Sequence, residues 1–319
     1  MKIVVTGGAG YIGSVVTAHL LEAGHEVVVI DNLSQGHRDA VPEGATLIEA
    51  DIRDFARVIK PEDGVDVMHF ASYIAAGESM REPGKYWQNN TAASLELLEA
   101  VRALGVPRFI FSSTAAVYGN PKAVPITEDA SVQPTSTYGM TKLALDMAIT
   151  SYSQAHGLAA TSLRYFNVAG AYGKYGERHP EETHIIPLAL AVAAGKRPAF
   201  LLYGDDYDTP DGTCIRDYIH VADLARAHLL ALDHVESGRH DIYNLGNGRG
   251  FSNKEVIAAV ERVTGAGLTI EMRPRREGDP AMLIASSQRA QDVLGWRPQK
   301  ASLDDMVGDA WAFFQAQSR

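Results

Sequence analysis

Through the first half of the chain, short runs of β-branched and aliphatic residues alternate with stretches whose apolar positions recur every third or fourth residue. Lys2–Thr6 reads as a buried strand, Tyr11–Ala23 as a helix ending at Gly24, and Glu26–Ile30, Thr46–Ala50 and Val65–Ala71 as further strands. Helical spacing returns over Tyr86–Ala103. It is followed by a strand at Arg108–Ser112, a helix from about Thr137 to His156, and a sixth strand at Ala160–Tyr165. Strands alternating with helices at this spacing predict an α/β fold, a doubly wound parallel sheet covered on both faces.

After Phe166 the rhythm breaks. Gly, Pro and charged residues thicken through Gly170–Glu182 and Asp205–Gly212, which predicts a second, smaller mixed α/β unit over residues 167–319 without a clean linker. Asp241–Leu245 has the character of a strand returning to the first sheet. The first unit, residues 1–166, is therefore expected to be rejoined by about 217–247, so that the two units interleave.

Composition narrows the partners. With 46% apolar and 21% charged residues among 319, the chain is ordinary for a globular protein with substantial cores. The formal charge is −10, and no basic cluster exceeds Arg273-Pro274-Arg275-Arg276, which argues against nucleic acid. A small phosphorylated ligand needs only a few placed arginines and stays open. The lone Cys214 excludes an intrachain disulfide and favours a reducing compartment. No secretory segment and no bilayer-length apolar run is visible, so a cytoplasmic protein with no membrane partner is expected.

Thr6-Gly7-Gly8-Ala9-Gly10-Tyr11-Ile12-Gly13 carries glycines between the first strand and the first helix. Glycines there permit a tight turn and let backbone N–H groups at a helix N-terminus approach a pyrophosphate, as in a Rossmann-type site. Asp31 closes the second strand, 18 residues past Gly13. A carboxylate at that point accepts ribose hydroxyls and repels a 2′-phosphate, so NAD is expected rather than NADP. Asp51, after the third strand, is placed either to reach the adenine or to cap the next helical turn.

Tyr138-Gly139-Met140-Thr141-Lys142 sets a phenol and an ammonium one turn apart on one helix face. A free tyrosine, with a pKa of about 10, is a poor base near neutrality. A neighbouring ammonium and a positive nicotinamide ring both favour the phenolate. Thr114, ending the fifth strand, either hydrogen-bonds a substrate oxygen beside Tyr138 or caps the strand end.

With these motifs, the chain resembles the extended short-chain dehydrogenase/reductases, and within them the UDP-glucose 4-epimerases. The similarity rests on Thr6–Gly13, Asp31-Asn32-Leu33-Ser34, His69-Phe70-Ala71, Gly77-Glu78-Ser79, Asn89-Asn90, Phe111–Gly119, Tyr138–Lys142, Arg164–Asn167, Asp211–Val221 and Arg275–Asp279. It implies that a UDP-galactose/UDP-glucose substrate is oxidised at C4 by a tightly held NAD, turned within the pocket, and reduced on its opposite face. Tyr138 is then the base, with Lys142 and Thr114 completing the catalytic set. The cofactor set is Gly7, Gly10, Tyr11, Ile12, Gly13, Asp31, Asn32, Asp51, Ile52, Phe70, Ala71, Asn89 and Tyr165, with Tyr138 and Lys142. The resemblance also implies that Asn167, Arg216 and Arg276 bind the UDP pyrophosphate, Asp279 the ribose, and Tyr203 the uracil. A homodimer is implied through the helices Tyr86–Ala103 and Thr137–His156. Without the resemblance, Arg275-Arg276-Glu277 reads as a solvated charge run.

Several positions depart from the family pattern. Ile74 stands where the family has a lysine, which removes one phosphate contact. His184 replaces the usual asparagine and puts a uridine contact in doubt. Leu283, intermediate to large, favours simple hexoses over N-acetylated sugars. Related dehydratases and decarboxylases need a carboxylate just after Thr114, where this chain has Ala115-Ala116. Epimerases of N-acetylhexosamines or pentoses remain alternatives. A non-catalytic NAD-binding sensor would not need Tyr138 and Lys142. The histidines show no H-x-x-x-H or cysteine pairing at ligand spacing, so no metal is expected.

Overall fold

The computed structural model describes residues 1–276 and 279–317. The first half carries β1 (Lys2–Thr6), β2 (Glu26–Asp31), β3 (Thr46–Glu49), β4 (Val65–His69), β5 (Arg108–Thr114) and β6 (Ala159–Tyr165), each within two residues of the strand expected from the sequence. The second half adds β7 (Asn167–Ala169), β8 (Phe200–Tyr203), β9 (Ile215–His220), β10 (His240–Leu245), β11 (Gly250–Ser252), β12 (Ile270–Arg273) and β13 (Met282–Leu283).

Seven of these strands form one wholly parallel sheet in the order β3–β2–β1–β4–β5–β6–β10. The chain crosses over between β1 and β4, and the carboxyl ends of the strands open into a crevice at that reversal. Every residue of β4 and of β6 is buried, and the charged or ring-polar ones have partners: Asp66 pairs with Arg108, His69 with Thr6 and Ser94, and Arg164 with Asp146. One face packs against the helices Tyr11–Glu22 and Val221–His234. The other packs against Ala93–Ala103 and Thr137–His156, through Leu97, Leu98, Val101, Leu145 and Ile149.

The expected strand at Asp241–Leu245 is β10, at the edge of the large sheet. The return extends further than the sequence reading, because Ala290, Leu294 and Trp296 also enter the core beneath the sheet. Trp296 donates its indole N–H to the Asp223 carbonyl (2.9 Å), and the Asp223 carboxylate accepts the amides of Gln299 and Lys300 (3.0 and 2.9 Å). The remaining strands build a β11–β9–β13 sheet with β7 beside β9, and a β12–β8 pair. Their core is formed by Ile186, Leu190, Phe200, Val256, Val260, Met306 and Val307.

One expected helix is not uniform. Over Tyr86–Ala103 the backbone widens to a π-helical turn at Trp87–Ala92 before regular helix resumes at Ala93. That turn carries the buried Asn90, whose side chain brackets the backbone of Tyr73 at 2.9 Å on both sides and reaches Thr141 at 3.3 Å. Such turns cost regular i→i−4 bonds, here offset by a side chain that ties two elements together.

The helix Thr137–His156 is fastened to β6 by a buried ion pair. Asp146 Oδ2 accepts from Nε and Nη2 of Arg164 at 3.0 and 2.8 Å, with both side chains about 5% exposed or less. Asp146→Ala would strand the guanidinium in the interior and is expected to lower stability by about 3–5 kcal/mol. Denaturant unfolding at neutral pH measures this, and a loss under 1 kcal/mol would refute the role given to the pair.

Candidate active site

The C-terminal edge of the sheet forms the floor of a cavity of about 640 Å³. Gly7 follows β1 with φ +74°, and a Cβ there would lie 2.5 Å from the Ala71 amide nitrogen. A Cβ on Gly13 would meet the Gly7 carbonyl oxygen at 2.3 Å. These contacts, not general flexibility, require glycine: the turn, the start of the helix and the strand beside them touch backbone to backbone. No side chain caps the helix at Gly10, so its first amides face the cavity available to an anion.

Asp31 sits at the end of β2 and is 8% exposed. It accepts from the Ala9 amide (3.0 Å) and the Leu33 amide (2.8 Å). Burial raises its pKa, partly offset by those amides. Asp51 caps the turn Ile52–Asp54 by accepting from the Arg53 amide at 3.0 Å, and it also lines the cavity. All the residues expected to hold the cofactor line this one cavity, including Ile12, Asn32, Ile52, Phe70, Asn89 and Tyr165. Close glycine contacts, an uncapped helix start and a carboxylate with no Lys or Arg among its charged neighbours suit a dinucleotide lacking a 2′-phosphate.

Tyr138 and Lys142 enter from the start of the helix Thr137–His156. Ser136 caps that helix by accepting from the Gly139 amide at 3.1 Å, and Ser79 Oγ accepts from the Tyr138 amide at 3.0 Å. Gly139 lets the first turn press onto Ala116, whose carbonyl oxygen would stand 2.6 Å from an added Cβ. Lys142 is buried, donates to the Ser112 carbonyl at 2.9 Å, and lies 4.9 Å from the Phe111 ring centroid and 6.0 Å from that of Tyr138. Burial lowers its pKa to about 7, with Asp146 acting the other way.

Thr114 caps the strand end and also reaches Tyr138. Its Oγ1 accepts from the Ala116 amide at 3.1 Å, and its side chain hydrogen-bonds Tyr138. The surroundings modify the expectation for the phenol: burial pushes Tyr138 up to about 12, and the Thr114 hydrogen bond only partly opposes this. Protein burial alone thus works against the phenolate, so positive charge beside the ring is a requirement of any base role. Ser112, not singled out from the sequence, shares a hydrogen bond with the Tyr165 hydroxyl.

A second cavity of about 410 Å³ adjoins the first, and Asn167 and His184 line both. Tyr203, Arg216, Arg276 and Asp279 line it as well. Arg216 is paired with Asp279, and the Arg276 guanidinium lies 4.3 Å over the Tyr203 ring. Thr114, Tyr138 and Leu283 face the larger cavity, where Leu283 pairs in register with Arg216. Glu277 and Gly278 of the Arg275–Asp279 segment lie outside the described residues. Ile74 also faces the larger cavity, and Lys85 stands on the same wall, 4.3 Å from the Tyr73 ring and 2.7 Å from Glu78. Lys85 is thus a cation on this wall that is already ion-paired with Glu78.

Comparisons with known proteins agree with this geometry. The model of the NAD dependent epimerase/dehydratase family matches residues 3–246. A UDP-glucose 4-epimerase of Corynebacterium glutamicum is 56% identical, over 99% of this chain and 96% of its own. The structure of UDP-glucose 4-epimerase from Brucella ovis in complex with NAD is 43% identical with a TM-score of 0.93, covering 98% of each chain. That from Bifidobacterium longum in complex with NAD+ and UDP is 35% identical with a TM-score of 0.93, covering 100% of this chain and 99% of its own.

The glycine contacts set a direct test. Gly13→Ala places a methyl group against the Gly7 carbonyl and is expected to abolish retention of dinucleotide through purification. HPLC of acid-released nucleotide reads this, and full retention would show that the loop has room to spare.

Proposed function

This chain belongs to the NAD dependent epimerase/dehydratase family, and on that footing we propose that it is a UDP-glucose 4-epimerase, interconverting UDP-galactose and UDP-glucose with NAD as resident cofactor. When bound, NAD supplies a reversible acceptor for the hydrogen on the sugar C4. Tyr138 takes the proton of the 4-hydroxyl as that hydrogen leaves, and returns it after the 4-keto sugar has turned over. Lys142 supports the phenolate and grips the nicotinamide ribose, while Thr114 orients the reacting oxygen. Asn167, Arg216 and Arg276 hold the pyrophosphate, for which the planar guanidinium gives paired hydrogen bonds. Asp279 holds the ribose, Tyr203 neighbours the uracil, and His184 contributes at the junction of the two cavities. An anchored UDP leaves the sugar free to rotate in the larger cavity.

The observation that carries this reading is Ala116, which lines the cavity beside Tyr138. Dehydration or decarboxylation requires a proton-transferring group there, and a methyl group transfers none. The division of labour is part of the proposal: residues 1–166 and about 217–247 serve the dinucleotide, and the rest of 167–319 the UDP-sugar. So is a homodimer in the cytoplasm, through the helical segment Tyr86–Ala103 and the helix Thr137–His156, on which Leu95 and Met147 are 37% and 64% exposed. No helix of the described residues is long and apolar enough to cross a membrane.

Purified protein given UDP-galactose and no added NAD is expected to produce UDP-glucose, with UDP-N-acetylgalactosamine and UDP-arabinose turned over more slowly. No product without added cofactor would overturn the proposal. Tyr138→Phe should lose roughly 10²–10⁴ in turnover while keeping its dinucleotide. Lys142→Met should move the acidic limb of the kcat–pH profile upward, because the tyrosine loses the cation that opposes its burial. An unmoved limb would remove Lys142 from that role.

A further inference from the structure

The segment joining β7 to the helix Ile185–Ala193 borders both cavities. Arg178, within it, makes a paired contact with the Asp39 carboxylate at 2.9 Å, and its carbonyl accepts from His37 Nε2 at 2.9 Å. The segment therefore runs across the larger cavity and is fastened to the loop after β2.

Along this strap, three donor atoms converge. Glu177 Oε1 lies 3.1 Å from His179 Nε2 and 2.8 Å from His184 Nδ1, and all three atoms are within 4.8 Å of one another. The Glu177 side chain is only 10% exposed. We propose that Glu177, His179 and His184 form a binding site for one divalent transition metal of the zinc class, clamping the strap over the dinucleotide cavity.

Two imidazoles and a carboxylate are the donor set of three-ligand zinc sites, which keep a further position for water. Donors around tetrahedral zinc stand about 3.3 Å apart, given bonds of about 2.0–2.1 Å, so small shifts suffice here. Glu182 is occupied otherwise. Its Oε1 accepts the amides of Thr183 and His184, both at 2.7 Å, and also lies 2.9 Å from His184 Nδ1, a contact that metal on that nitrogen would replace.

Charge balance points the same way. Among the described residues, neither Glu177 nor Glu182 pairs with a lysine or arginine. After burial, these two carboxylates are what raise the pKa of Tyr11, at the N-terminus of the phosphate-facing helix. His184 Nδ1, 2.8 Å from Glu177 and 2.9 Å from Glu182, offsets this charge as an imidazolium; a dication bound between the carboxylates and the imidazoles would take over that role beside the pyrophosphate site.

The test uses the full protein with its dinucleotide, treated with a chelator, desalted and titrated with Co²⁺. Saturable uptake of one equivalent per chain is expected, with the visible d–d bands of four- or five-coordinate cobalt, bleached by competing Zn²⁺. Loss of partners that merely orient ligands costs about 10–100-fold in affinity, so His179→Asn should weaken binding by roughly 100-fold or more. Glu177→Gln, which keeps the hydrogen-bonding shape, should do the same, and circular dichroism of both variants in chelator checks their folding. Metal should also slow dinucleotide release in the parent and not in these variants. Absent cobalt bands, or uptake unchanged in a folded Glu177→Gln protein, overturns the site. These readouts are independent of whether any sugar is epimerised.

Discussion

An ammonium held in the interior without a carboxylate in contact is the constraint on which the chemistry of this site depends. Lys142 has a backbone carbonyl and aromatic faces for company, and the nearest acid on its helix, Asp146, is already bound by Arg164. Even so, the Asp146 carboxylate favours the charged form of Lys142 against its burial. The Asp146–Arg164 pair thus pins the helix that carries Tyr138 and Lys142 to β6, and keeps Asp146 from direct contact with the lysine.

Everything else in the site follows from where strands stop. Gly7, Asp31, Asp51, Phe70, Thr114 and Tyr165 come from six different strand ends, and lie in one cavity only because parallel strands present all their carboxyl ends on one edge. β9 and β13 supply Arg216 and Leu283 from the neighbouring unit. Asp217 secures that join, accepting the amides of Asn247, Gly248 and Ala285 at 2.8, 3.0 and 3.0 Å.

Much of this was legible in the amino-acid order, for identifiable reasons. Buried β1 and β2 leave the unbroken apolar runs Ile3–Val5 and Val27–Ile30, and the helix Thr137–His156 is bracketed by Ser136 at one end and a left-handed Gly157 at the other. The π-helical turn at Trp87–Ala92 was not legible, because one widened turn scarcely alters apolar spacing. Residues 290–296 were also missed, since a helix as short as Gln288–Val293 has too little length to show which core it joins. The Glu177, His179 and His184 cluster sits on irregular backbone, where no periodicity announces that side chains will meet. Lys85 escaped notice for the same kind of reason, reaching its wall by a path that only the tertiary fold defines.

The edge position of β10 has a consequence for synthesis. β6 has no partner on its outer side until His240–Leu245 has been made. A nascent chain that has emerged only as far as Phe166 therefore holds a nearly complete sheet with one raw edge, and with core residues such as Leu163 still lacking Ile219, Leu224 and Leu245. During that interval the ribosome-bound intermediate is adhesive, and shielding it is a task for a chaperone or for speed of translation.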